Sequence, residues 1–457
     1  MAERSFFVQR AGNLSSRRTW LTQALGALGA GWFLRELGVP AMRGAGHKPI
    51  RVAAVVTEFR FRSHAHVLLE NFLMPYLFRG RVVRPPVEVV SFYVDQFPEG
   101  DMARDVARRF NIPIFDSIDK ALCLGGQQLA VDAVLAIGEH GNYPVNDLGQ
   151  VEYPRKRFFD ACVAVMRRSG RYVPYFNDKH LSYRADWAQQ MYDTARKLGI
   201  PLMAGSSVPL AQRIPPVEIP RGSRIREAVS IHGGPFEIYD FHGLEVLQAM
   251  VEARQGGECG IRRVEFLEGE KLWAAGRQGR WSIPLAEAAM AVEPDKKKPS
   301  LQQALRQGQF HGILLEYGDG LRAAVLKVGS SGIRWNFACY LHDSPKPLAT
   351  YFYPGPWNNR NLFKALSHAI QHFFVHRESP YPVERTLLTT LALEAAVRSR
   401  AAGKPIQSPR LQVRYQPRDF RAFRENGASW RIITEQTPQP QGFDNGTPEQ
   451  LLRSAPE

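Results

Sequence analysis

From residue 51 to about 208, short apolar runs alternate with amphipathic stretches, and that alternation decides what the chain can fold into. Strand-like runs read at 51–56, 87–94, 112–115, 131–137, 172–176 and 201–204. Helical patterns fill the intervals at 63–78, 101–110, 117–124, 155–168 and 183–198. Strands that are apolar throughout are buried on both faces, and helices between them supply crossovers. The chain therefore predicts an α/β, Rossmann-like, doubly wound parallel sheet. Such sheets bind ligands beyond the carboxyl ends of their strands. The residues just past each strand are polar here: 57–64, Asp95-Gln96, Glu139-His140-Gly141, Asn177-Asp178-Lys179-His180 and Gly205-Ser206-Ser207.

A different pattern starts after Pro215-Pro216 and Pro220-Arg221-Gly222. Strand-like runs at 228–232, 260–267, 311–317, 321–328 and 333–341 are joined by a helix at 240–253, and a Gly318-Asp319-Gly320 turn makes one pair a hairpin. Helices at 361–374 and 383–401 follow. This half reads as α+β, an open, mostly antiparallel sheet with helices on one side. The expected organisation is a signal segment at 1–41, a Rossmann-like domain at 48–212, an α+β domain at 213–415 and a polar, proline-rich tail at 416–457, partly disordered from about Thr437.

The start of the chain carries an address. Ser16-Arg17-Arg18-Thr19-Trp20-Leu21 resembles the twin-arginine export motif, with a weakly apolar stretch after it and Val39-Pro40-Ala41 as a small-residue cleavage site. The expectation is export through the twin-arginine machinery to a periplasmic or other extracytoplasmic place, with a membrane tether if the signal stays on. The 457 residues carry a net charge of +15, yet no basic block is interleaved with aromatics, so nucleic acid is not an expected partner. An anionic substrate or a cofactor phosphate is the better use for some of the arginines. Cys123, Cys162, Cys259 and Cys339 are too scattered for a zinc site or a disulfide framework. The sequence leaves room for a homo-oligomer.

The layout of residues 50–412 resembles the glucose–fructose oxidoreductase / inositol dehydrogenase family. Residues 89–95, 101–110 and 112–116 look like that family's second strand, helix and third strand. Gly170-Arg171-Tyr172-Val173 leading to Asp178-Lys179-His180 resembles its Gly-Lys-x-Val segment and Glu-Lys-Pro motif. The resemblance implies NAD or NADP as cofactor and a sugar, polyol or related hydroxyl/carbonyl compound as substrate. It puts Asp95 on the adenosine ribose, Lys179 on the motif lysine and Glu139 in the loop flanking the nicotinamide. There are departures. The Gly-x-Gly-x-x-Gly fingerprint is absent, the motif proline is His180, and the Asp-x-x-x-His pair starting at Asp240 meets Leu244.

Without glycines, the phosphates would fall to the helix start and its loop, through Thr57, Arg60, Arg62 and Ser63; alternatively the loop fills the pocket and no dinucleotide binds. Lys179, His140, His180 and Asp178 are the candidates for proton transfer. Asp240 and His242 form a further acid–base candidate, or His242 joins His140 or His180 around a metal. No metal is expected, and His368, His372 and His376 read as a polar helix face. Two other classes stay open: a cofactor-free carbohydrate-binding or structural protein, and a cofactor-independent acid–base lyase or isomerase.

Overall fold

Val52 to Val56 have no contact with solvent, because the strand that carries them lies at the middle of a sheet covered on both faces. The computed structural model describes residues 48–295 and 297–454; the export motif lies outside them. The first half runs β1 (Ile50–Val56), α1 (His64–Leu73), the hairpin β2 (Tyr76–Phe78) and β3 (Arg81–Val83), β4 (Val87–Val94), α2 (Ala103–Phe110), β5 (Ile114–Phe115), α3 (Ile118–Cys123), β6 (Ala133–Ile137), α4 (Arg155–Arg168), β7 (Tyr175–Asp178), α5 (Ala185–Leu198) and β8 (Leu202–Gly205). Six of these strands form one parallel sheet in the order β5-β4-β1-β6-β7-β8. The order reverses at β1, so loops after β4 and β6 flank its carboxyl end. Local chemistry sets the helix ends: Ser63 caps α1 and Ser117 caps α3 through their side chains, and Gly199 closes α5 in the left-handed conformation.

The second half runs β9 (Gln212–Ile214), β10 (Ile225–His232), α6 (Ile238–Val251), β11 (Ile261–Glu268), α7 (Gly269–Arg277), α8 (Ile283–Ala291), α9 (Leu301–Arg306), β12 (Phe310–Tyr317), β13 (Arg322–Val328), β14 (Trp335–Leu341), β15 (Leu348–Tyr353), α10 (Asn359–His376) and α11 (Val383–Ala402). Its seven-stranded sheet is ordered β11-β12-β13-β10-β14-β15-β9, antiparallel except where β10 meets β13. Helices cover both faces rather than one. Alternate residues point to α6 and α11 on one side, and to a second core closed by α7, α8 and α9 on the other. Helix α11 also packs on α5 and β8, so the two sheets share one buried core.

The polar tail makes specific contacts. It packs against the first half and against α10: Phe443 lies on Phe59 and Phe110 at ring-centroid distances of 5.7 and 5.8 Å. Lys364 donates to the Asn445 carbonyl at 2.7 Å, and Arg360 donates to the carbonyls of Pro440 and Asp444. A polar composition hid an aromatic anchor and a run of backbone acceptors. No helix among the described residues is long and apolar enough to cross a membrane.

Candidate active site

The carboxyl ends of β6 and β7 meet the start of α6, and a buried charge network occupies the junction. Glu139 follows β6. Its carboxylate accepts from Lys179 Nζ at 2.8 Å and from Arg155 at 2.5 Å, all three side chains at most 5% exposed. Arg155 reaches it from the first position of α4, which requires Gly138: a Cβ there would stand 2.7 Å from Arg155 Cγ. Burial pushes the Glu139 carboxyl up, but Lys179 and Arg155 outweigh it and hold it well below its ordinary value. Arg155 also lies 2.9 Å from His180 Nε2, and His180 is 3.7 Å from Glu237 at the head of α6. Burial pushes the Glu237 carboxyl up to about 7.

Histidines line the rest. His64 Nδ1 is 2.6 Å from the Asp178 carboxylate, and its ring stands 5.1 Å from that of His140. His140 is held down to about 4, first by burial and then by His64; its Nε2 is buried without a partner among the described residues. Burial, followed by Arg155, keeps His180 neutral, and burial, followed by Lys179, does the same for His242. Ser206 Oγ is 2.6 Å from His242 Nδ1. Three of these residues hold left-handed φ values that cost a side chain strain: His140 at 69°, Lys179 at 63° and Glu237 at 67°.

Lys179, His140, His180, Asp178 and His242 thus converge on one place with Glu139. Asp240, which accepts from the Glu237 backbone N–H, is hydrogen-bonded to His232 at 3.1 Å and His311 at 3.0 Å, a geometry able to hold a cation. Arg155, Glu237 and His311 carry no signal in the sequence: they arrive from a helix start, a strained cap and a distant strand. An arginine-lined cavity of about 320 Å³, bounded in part by Arg213, Arg221 and Arg418, shares none of these residues.

The residues expected to hold a dinucleotide are engaged by the protein itself. Asp95 accepts from Tyr93 at 2.5 Å, Tyr143 at 2.7 Å and Arg157 at 2.7 Å. Gln96 exchanges two hydrogen bonds with the Asn142 backbone, 2.9 and 2.8 Å, which ties the loop after β4 to the loop after β6. A dinucleotide in this type of sheet crosses between those two loops. Thr57 bonds the Glu139 carbonyl at 2.5 Å, Arg60 pairs with Glu58 at 2.6 Å and Arg62 donates to Asn359 at 3.0 Å. Ser63 is spent as the α1 cap. Phe59 is fully buried against Phe92 and Phe443, and Phe363 of α10 packs on His64 at the helix start. As arranged, these residues bond one another, and no glycine opens the 57–64 turn to a dinucleotide pyrophosphate.

No protein-family model matches the chain, and no curated protein does. Solved structures do. GenD2 from gentamicin A biosynthesis, in complex with NAD, aligns with 80% of this chain and 98% of its own at 14% identity and a TM-score of 0.50. A myo-inositol dehydrogenase from Corynebacterium glutamicum aligns with 79% of this chain and 99% of its own, at 11% identity and a TM-score of 0.49. A scyllo-inositol dehydrogenase from Lactobacillus casei with NAD(H) and scyllo-inositol covers the same shares at 10% identity and a TM-score of 0.49. The first likeness establishes the fold: a Rossmann-like domain followed by an α+β domain, as the alternation of strands and helices predicts.

Proposed function

We propose that the chain is an enzyme that moves protons on a sugar- or polyol-like hydroxyl/carbonyl compound, a lyase or isomerase working without a dinucleotide. The observation that carries this reading is the convergence of Lys179 and His140, both in strained backbone at the ends of adjacent strands, on one buried network. The Lys179 ammonium, anchored by Glu139, meets a carbonyl oxygen as negative charge builds on it. The neutral His140 imidazole takes the proton from the neighbouring carbon, and His64, oriented by Asp178, stands beside it to pass that proton on.

A second reading is an NAD(P)-dependent oxidoreductase of a sugar or polyol. It is supported by the fold shared with an NAD complex and by Asp95 at the end of β4, and it needs the Gln96–Asn142 tie to open. Titration of NADH and NADPH fluorescence with the folded protein separates the two. The first reading expects no saturable change; saturable binding that Asp95→Ala removes overturns it in favour of the second. Aldoses, ketoses and sugar acids incubated in deuterated water without nicotinamide should gain deuterium beside the carbonyl, or eliminate water, and Lys179→Met should stop this. Sugar binding with no exchange across the panel would reduce the protein to a binding module. The proposal includes export: Arg17→Lys with Arg18→Lys should retain a fused periplasmic reporter in the cytoplasm.

A further inference from the structure

His232, Asp240 and His311 come from three elements, the end of β10, the first turn of α6 and the start of β12, and they meet in the core. Their ligand-type atoms all lie within 4.8 Å of one another. Asp240 Oδ1 stands 3.1 Å from His232 Nε2 and 3.0 Å from His311 Nε2. Three ligands of a four-coordinate zinc ion, with bonds near 2.0–2.1 Å, stand roughly 3.3 Å from one another. The two carboxylate–imidazole edges already lie within a few tenths of an ångström of that spacing, and the edge between the two histidines is at most 4.8 Å.

The surroundings hold each side chain in place. The Glu237 backbone N–H donates to Asp240 Oδ2 at 2.8 Å, which fixes the carboxylate with Oδ1 facing both histidines and Oδ2 also 3.2 Å from His311 Nε2. The His232 ring stacks on Trp335 at 6.2 Å, and a Cβ at Gly243 would come within 3.1 Å of it. Phe236 and Phe266 hold His311 at 5.6 and 5.2 Å. Charge points the same way. Asp240 and His232 are fully buried, and among the described residues neither arginine nor lysine forms an ion pair with Asp240. A buried carboxylate requires a counter-charge. Two imidazoles and one carboxylate are a donor set for a divalent first-row ion, and three protein ligands leave a position for water or a substrate oxygen.

We propose that His232, Asp240 and His311 bind one divalent transition-metal ion of the zinc class. The site stands on its own residues and does not depend on the reaction proposed above.

The test uses the full-length protein, stripped with chelator and titrated calorimetrically with zinc sulfate. Uptake of one ion per chain is expected. Cobalt(II) in place of zinc should give the visible absorption of a four- or five-coordinate site. His311→Gln and Asp240→Asn should each weaken uptake at least roughly tenfold, while His372→Ala on α10 leaves it unchanged. Absence of both zinc uptake and the cobalt band in the unaltered protein overturns the proposal, whatever the variants do. So does uptake undiminished in His311→Gln, or uptake lost in His372→Ala.

Discussion

Glu139 holds two cations in a place that none of the three side chains shares with water. Cutting such a group from one side leaves the other uncompensated, typically at about 3–5 kcal/mol. The two cuts are not equivalent. Glu139→Gln leaves Lys179 and Arg155 buried with no carboxylate between them, whereas Lys179→Met leaves Glu139 still paired with Arg155. Urea unfolding should therefore show the larger loss for Glu139→Gln, with Lys179→Met well below it; equal losses would mean that the lysine, not the carboxylate, organises the site. Lys179, Asp178, His180, Glu139 and His140 were legible in the sequence because each follows a buried strand, where a parallel sheet puts its ligands. Their partners were not. Arg155 reaches in because Gly138 has no side chain, and Glu237 because its backbone takes a strained turn. Asp95, Arg60 and Arg62 stand where the sequence puts them, but their partners come from positions as distant as Tyr143, Arg157 and Asn359.

Among the elements, α10 departs at His368 from the polar face that its histidine row predicts, because that side chain is buried. His368 is stacked on Phe78 at 4.2 Å, with its Nδ1 3.0 Å from the Tyr76 hydroxyl. Burial first, and then His372, lowers it from the ordinary 6.5 to about 3. The unfolded chain takes up this proton near pH 6.5 and the folded chain only near pH 3. Between those values the unfolded state binds more protons, so stability falls as the pH drops through the window, by up to about 1.4 kcal/mol per pH unit for one proton. His368→Gln should flatten the dependence of the urea midpoint between pH 4 and 6; an unchanged slope would place the acid sensitivity elsewhere. Most other elements were legible from periodicity, Arg155–Arg168 to the residue. The first helix reads too long in sequence because the apolar pattern runs on through Pro75 into the β2–β3 hairpin. Helices α7 to α9 are short and lack a long apolar stripe, so the second face of the C-terminal sheet looked open when it is covered.

At the scale of the whole molecule, the tail packs against the loop and helices of the first half. Phe443 lies between Phe59, His66 and Phe110, while Asn445 donates to the Pro75 carbonyl at 2.5 Å, past the end of α1. None of this is legible from a segment whose composition is polar and proline-rich, because a single aromatic ring and a series of carbonyls leave no periodic trace. The same contacts make the tail structural rather than decorative. Phe443 is only 8% exposed, and emptying a buried phenylalanine site costs about 3–5 kcal/mol. Phe443→Ala should lower the thermal midpoint clearly, and a chain ending at residue 436 should lower it further, since it also strips the carbonyl acceptors from Lys364 and from Arg360, which keeps only its pair with Glu70. Hydrogen exchange locates the effect: amides of α1 and of the 57–64 loop should lose protection, while those of β12 and β13 keep theirs. If truncation leaves the α1 amides as protected as before, the tail rests on a domain that holds its first helix and loop in place without it.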